Sequence, residues 1–328
     1  MKRKKYLNLL LNPLKIEIIS IALKLKVFDL FEESLSIKEL EKKLGFTKHN
    51  TKVFLDALVH LKLLKYKESS YKNSSFSKKY FVSFSEDYIA DVFLYRQEYF
   101  QLDQKNILKL LKGENKEKME LQNQKQWVKV SKKYFFQEQK ALLSAFIINI
   151  VKKLTKTNKI NKILDLGCNS GVVSLELLKA NTDFQAVLFD FEEVIKQTKK
   201  NIKKYKMEKR VTTLYGDIQK DDIKQGYDLV ICSNILHLLP QQKQVLQKIY
   251  KALNKNGILL IIQSNILDDS TQNINSYFYN LIPILYDETH IKNYPSTEML
   301  IDTGFQSVDS FISDKTTSLQ SKVYIAKK

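Results

Sequence analysis

The feature that most constrains this chain is a change of rhythm near residue 160. Short apolar runs at 163–166, 186–189, 211–215, 229–232 and 258–262 are separated by amphipathic stretches. Such an alternation of apolar runs and amphipathic helices is what a parallel sheet covered on both faces requires. Two further runs, 305–312 and 323–326, follow one another with no helical stretch between them. Strands joined that directly pair antiparallel. The expectation is an α/β domain over residues 156–328 whose sheet ends in an antiparallel strand pair.

The preceding half obeys a different period. Ile16, Ile19, Leu23 and Val27 recur at helical spacing, and Ser36 with Glu39 forms a capping box ahead of Leu40, Leu44 and a helix-ending Gly45. Thr47 caps a third helix whose Phe54, Leu55, Leu58 and Leu61 make one stripe. Residues 65–80 then alternate like two strands turning around Lys72-Asn73-Ser74. Helices followed by a hairpin are a winged-helix pattern, expected over residues 1–84. The apolar positions from Leu14 to Phe31 exceed what so small a unit can bury, which points to the pairing of two subunits. Residues 85–155 read as an aromatic-rich helical linker.

Composition narrows the classes further. With 328 residues and 44% hydrophobic content, two cores can be filled. The longest apolar run, 141–151, is broken by Ser144 and Asn149 and falls short of the roughly 18 residues that a membrane span needs. Neither a span nor a leader is expected, and the cytoplasm is the expected location. Cys168 and Cys232 fall at strand ends as small buried hydrophobes, without a disulfide framework or a metal site. A net charge of +18 invites a nucleic-acid partner, but arginine, the bidentate reader of phosphate and guanine, occurs only at Arg3, Arg96 and Arg210. The charge is lysine spread along the whole chain, the pattern of a solvated basic surface.

The chemistry gathers where the first strand of the α/β half runs through Asp165 into Gly167-Cys168-Asn169-Ser170-Gly171, with a helix directly behind. A strand, a glycine turn and a helix start offer unpaired amides and a positive helix dipole to a ligand. Asp190 closes the second strand about 20 residues on, where an acid accepts both ribose hydroxyls of an adenosine-bearing cofactor. The turn lacks the G-x-G-x-x-G spacing that admits a pyrophosphate, and it carries instead an acid, Asp165, which suits an amino group. Asp217, behind the third strand, is placed to accept from an adenine amine, with Ile218 beside the ring. The competing role for Asp217 is a helix cap.

These residues, with Phe189-Asp190-Phe191-Glu192-Glu193-Val194-Ile195, Gly216-Asp217 and Asn234-Ile235-Leu236-His237, resemble the ordered motifs of class I methyltransferases of the caffeate and hydroxyindole O-methyltransferase type. Residues 21–30 resemble that family's dimerisation segment, so the likeness covers most of the chain. It implies a Rossmann-like class I methyltransferase sheet, a homodimer built on the N-terminal winged helix, and S-adenosylmethionine as cofactor. The candidate cofactor residues are Asp165, Gly167, Asn169, Gly171, Asp190, Phe191, Asp217, Ile218 and Ser233. The resemblance also makes His237, beyond the fourth strand, the general base that deprotonates a hydroxyl of a small, aromatic acceptor. The competing role for His237 is to cap the helix expected at 241–253. Two positions depart from the family pattern: Asn169 replaces the middle glycine, and Ser264 stands for the acid beyond the fifth strand, with Asp268 and Asp269 a few residues on. Trp127, Tyr134 and Tyr277 are the candidate walls of a flat, partly apolar acceptor pocket. Methylation of nitrogen, sulfur or carbon on the same fold is a second reading of these residues. A winged-helix DNA-binding regulator with a ligand-sensing domain is a third, disfavoured by the scarcity of arginine around residues 47–62.

Overall fold

The computed structural model describes residues 2–32, 35–100, 104–114, 134–264, 274–286, 295–314 and 319–328. Two compact units divide at residue 102, inside the stretch read as a linker.

The first unit opens with α1 (Lys2–Leu9) and α2 (Asn12–Lys24), the latter carrying Pro13 in its first turn, where a missing N–H does no harm. α3 (Ile37–Leu44) has the reciprocal capping box: Ser36 N–H donates to Glu39 Oε2 at 2.8 Å and Glu39 N–H to Ser36 Oγ at 3.5 Å. Thr47 caps α4 (Lys48–His60), whose Phe54, Leu55 and Leu58 share one core with Leu23, Phe28, Leu40 and Tyr71. The hairpin of β1 (Leu64–Lys67) and β2 (Ser70–Asn73) corrects the sequence expectation. It turns at Glu68-Ser69, both left-handed at φ 53° and 59°, and not around Lys72-Asn73-Ser74. Two successive left-handed residues are usually Asn-Gly or Asp-Gly, so nothing in Glu-Ser announces the turn. Ser74 instead caps a further helix, α5 (Ser75–Tyr80), by accepting Ser77 N–H at 3.1 Å. α6 (Ala90–Phe100) also belongs to this unit, because Ser20 donates to Gln97 Oε1 and Phe93 meets Phe81 edge-on at 6.3 Å. On α1, α2 and the turn between them Leu7, Leu10, Leu11 and Leu14 are each more than half exposed. By length and composition alone the helical stretch Tyr6–Lys24, of mean hydropathy 1.4, is apolar enough to cross a membrane, contrary to the expectation of no such segment.

In the second unit α7 (Gln104–Leu111) comes first, and α8 (Ser144–Leu154) follows a π-helical turn, Gln139–Leu143. The seven-stranded sheet comprises β3 (Lys162–Leu166), β4 (Gln185–Asp190), β5 (Val211–Tyr215), β6 (Tyr227–Ser233), β7 (Leu253–Ser264), β8 (Ser307–Ser313) and β9 (Ser321–Lys327). Their order is β5-β4-β3-β6-β7-β9-β8. Neighbours from β5 to β7 are parallel; β8 and β9 are antiparallel, as the lack of a helical stretch between the last two runs implied, and β9 also runs antiparallel to β7. On one face α8, α9 (Val172–Ala180) and α10 (Glu192–Lys204) bury Ile163, Leu188, Leu229 and Leu260. The helices α11 (Gln242–Ala252), α12 (Ile274–Tyr286) and α13 (Thr297–Thr303) come later, and α11 with α13 covers Leu164, Val230 and Leu259 on the other face. Strict alternation fails once: turns, and no helix, join β5 to β6. At the amino edge Asp228 accepts from Asn161 N–H (2.9 Å), Lys162 N–H (3.0 Å) and Asn254 Nδ2 (2.8 Å), tying β3, β6 and β7 together.

Candidate functional site

Strand register assembles the site. Leu166 pairs with Phe189 and Asp190 with Tyr215, so β3, β4 and β5 bring Asp165, the glycine turn and Asp190 to one carboxyl edge, with Asp217 two residues beyond. The chain order reverses about β3, whose neighbours are β4 and β6, and open α/β sheets bind ligands at such a switch point. Phe189 O accepts from both Gly167 N–H (2.9 Å) and Cys168 N–H (3.0 Å), fastening the turn to β4. Gly167 is left-handed at φ 74°, and a Cβ there would come within 2.2 Å of Ile235 Cδ1, so the loop behind β6 lies directly against it. Asn169, in place of the middle glycine, is left-handed at φ 53°, a conformation asparagine tolerates better than most side chains. Gly171 (φ 74°) begins α9, and a Cβ there would meet Thr198 Cγ2 at 2.7 Å.

Asp190 accepts Asn169 N–H on Oδ2 and Phe191 N–H on Oδ1, each at 2.8 Å. Both oxygens retain lone pairs, which is what a vicinal diol would need. Burial pushes this carboxyl up to about 6, against the pull of the two amides. Asp165, buried in β3, is pushed up to about 6 by burial too; the Ser174 hydroxyl, donating to Oδ2 at 2.6 Å, opposes the rise and the charge of Asp190 adds to it. Two carboxylates that burial makes reluctant to ionise favour a ligand carrying positive charge. The same burial pushes the Cys168 thiol up, so it is no nucleophile.

Asp217 Oδ1 accepts Gln219 N–H at 2.9 Å and Lys220 Nζ lies 3.5 Å from Oδ2. The capping role weighed for it is thus present, on a turn and not on a helix. Ile218 is buried in the core beneath this edge, and its carbonyl accepts from Lys248 Nζ at 2.7 Å. Phe191 sits half-buried at the N-cap of α10, and Ser233 ends β6. Asn234, at φ 51°, then turns the chain into a single 3₁₀ turn, Leu236–Leu238, that carries His237. α11 begins at Gln242 with Gln241 as its N-cap, so His237 stands outside the capping position considered for it.

Ser264 closes β7 opposite Ser321, while Asp268, Asp269 and Trp127 lie outside the described residues. Tyr134 is half-buried ahead of the helical turn Phe136–Glu138, and Tyr277 is 40% exposed on α12, edge-on to Phe278. Gln263 escaped the sequence reading. The pairing of Ser233 with Ile262 sets it level with Asn234; it is buried, donates Nε2–H to Pro295 O at 3.3 Å, and its Oε1 has no partner among the described residues. The available signal was a lone amide directly behind the apolar run 258–262. Among the described residues no cluster of His, Cys, Asp or Glu could hold a metal ion.

A sheet of this order, with a glycine turn after its first strand and an acid closing the second, defines the class I methyltransferase fold. A family model described as a methyltransferase domain matches residues 157–303, and one described as an O-methyltransferase dimerisation domain matches residues 7–83. Together they take in about two thirds of the chain, which is thus similar to a methyltransferase domain in its C-terminal half and to an O-methyltransferase dimerisation domain near its N-terminus. It is 27% identical over 150 residues to acetylserotonin O-methyltransferase of Gallus gallus, a match covering 45% of this chain and 43% of that one. Over 169 residues it is 28% identical to malonyl-[acyl-carrier protein] O-methyltransferase of Bacillus cereus, covering 51% of this chain and 57% of that one. The chain thus spans about half the length of these curated relatives. The solved human N-acetylserotonin methyltransferase, in complex with SAM, has the same fold, with a TM-score of 0.75 at 18% identity over 100% of this chain and 98% of that one.

Proposed function

We propose that the protein transfers a methyl group from S-adenosylmethionine to a hydroxyl of a small, aromatic molecule. The observation that carries this reading is the pair of carboxylates, Asp165 buried and Asp190 half-buried, flanking a turn with no room for a side chain at Gly167. Asp190, already oriented by two amides, would accept both ribose hydroxyls, and Asp165 would meet the amino group. The cofactor supplies a methyl group activated by a sulfonium, so the protein's task is mainly to position the reactants. His237 removes the acceptor's proton. A phenol near pKa 10 and an ordinary imidazole near 6.5 differ by about 3.5 units, so complete transfer before attack would cost about 5 kcal/mol. The proton therefore moves as the methyl group does.

Replacing His237 with Ala tests the assignment, with methyl transfer followed against panels of phenols and indoles. Turnover should fall by about 10²–10⁴ while cofactor affinity stays nearly unchanged. Near-normal turnover where chemistry limits the rate would remove O-methylation in favour of an acceptor atom that needs no base.

The same reading makes the enzyme a homodimer. The exposed apolar face of α1 and α2 falls largely within the dimerisation match, which supports burying it, and the apolar stretch 6–24 with it, against a second subunit and not in a membrane. A winged-helix role for α3, α4 and the hairpin in that pairing fits their order in the chain. Two free, buried cysteines fit a cytoplasmic location.

A further inference from the structure

We propose that Gln139, on the π-helical turn ahead of α8, is a positioning residue for the cofactor loop, a role that rests on the methyl-transfer reading above. Ser170 lies in the middle of that loop and is completely buried. Its hydroxyl donates to Gln139 Oε1 at 2.9 Å and accepts Val172 N–H at 3.3 Å. A hydroxyl has one proton, so these two bonds fix its rotamer and commit it wholly to holding the loop.

Three further side-chain anchors hold residues 169–170. Asp190 receives Asn169 N–H, Thr198 Oγ1 donates to Asn169 O at 2.7 Å, and Asn201 Nδ2 donates to Ser170 O at 2.8 Å. All three belong to β4 or α10. Gln139 anchors the loop from a different element, the π-helical turn reached from Tyr134.

The π turn explains how it reaches. In an α-helix each four-residue step overshoots a full turn by about 40°, so residues 139, 143, 147 and 151 would drift around the axis. A π turn is wider and takes up that drift. Leu143, Ile147 and Val151 are buried against the sheet, and Gln139 stays in line with them, facing Ser170. Gln139 O accepts both the Ser144 N–H and, at 2.9 Å, the Ser144 hydroxyl, which close the widened turn. Lys204 Nζ, from the C-terminal end of α10, lies 5.7 Å from the Phe136 ring centre, so the same segment touches the helix that supplies Thr198 and Asn201. A change in the Tyr134 segment is thereby transmitted to the amides that receive the cofactor.

Titration calorimetry with S-adenosylhomocysteine tests this without an acceptor. Gln139→Ala should weaken binding about tenfold, the effect of losing one hydrogen bond; Ser170→Ala, which also loses the bond from Val172 N–H, should weaken it at least as much, and the double variant should be no weaker than Ser170→Ala. Gln139→Glu keeps the acceptor oxygen and should restore affinity to within a few-fold. With an acceptor present, Gln139→Ala should raise the cofactor KM and leave kcat nearly unchanged, a split that a loss of folding would not produce. Unchanged affinity in Gln139→Ala, additive losses in the double variant, or failure of Gln139→Glu to rescue would each overturn the proposal. An unaltered protein that does not bind S-adenosylhomocysteine would instead overturn the methyl-transfer reading on which it rests.

Discussion

Asp165 shows at the scale of one residue how a binding site trades stability for affinity. Its folded pKa, about 6, lies above the 3.8 of an ordinary aspartate, so the fold prefers the protonated form. The stability this group contributes is complete below about pH 4 and is lost as the pH rises through about 6, a swing of about 3 kcal/mol. Asp165→Asn should therefore raise the melting temperature of the ligand-free protein at pH 7.5, with the gain fading towards pH 4, while weakening the cofactor. Melting curves of the variant and the unaltered protein at both pH values check this, and an equal gain at both would refute it. The acids were legible in the sequence because strand ends are legible. The Asp217 turn and the buried amide of Gln263 were less so, because both depend on partners that only the fold brings near.

At the scale of elements, what could be read was what repeats. Strands β3, β4, β6 and β7 stood out because both their faces are buried, and the antiparallel pairing of β8 with β9 followed from the lack of a helical stretch between the last two runs. Local devices without a period were hidden. The Glu68-Ser69 turn has neither Gly nor Asn, and the π turn at 139–143 follows from packing against the loop more than from composition. The glycine turn lies between these cases, since its pattern was visible but the crowding at each position was not. Gly167 and Gly45 have nearly the same left-handed φ, 74° and 69°, yet a Cβ at Gly167 meets Ile235 at 2.2 Å and one at Gly45 meets nothing within 4 Å. Gly45→Ala should cost about 1 kcal/mol from the backbone alone, and Gly167→Ala roughly 2–5 kcal/mol with loss of cofactor binding. Denaturant titration separates the two; equal losses would mean that the loop behind β6 yields freely.

Over the whole molecule, the positive charge by itself selects no partner. The excess of lysine suggests polyanions, yet Arg210, one of three arginines, is committed to the carbonyls of Leu178, Asn181 and Thr182 behind α9. The two units divide at residue 102, within the stretch 85–155 that the sequence sets apart, because α6 packs on α2. The exposed leucines of α1 and α2 predict assembly: light scattering should give about twice the chain mass of 38.4 kDa, and Leu10→Glu with Leu14→Glu should halve it without loss of fold. A monomeric unaltered protein would count against the homodimer. The central claim, a cofactor site built on Asp190 and the glycine turn, is tested most directly by calorimetric titration of S-adenosylmethionine into the unaltered protein and into Asp190→Ala. The account predicts one saturable site per chain, weakened in the variant by roughly 1.5–3 kcal/mol; no saturable binding to the unaltered protein, or equal binding to both, would contradict it.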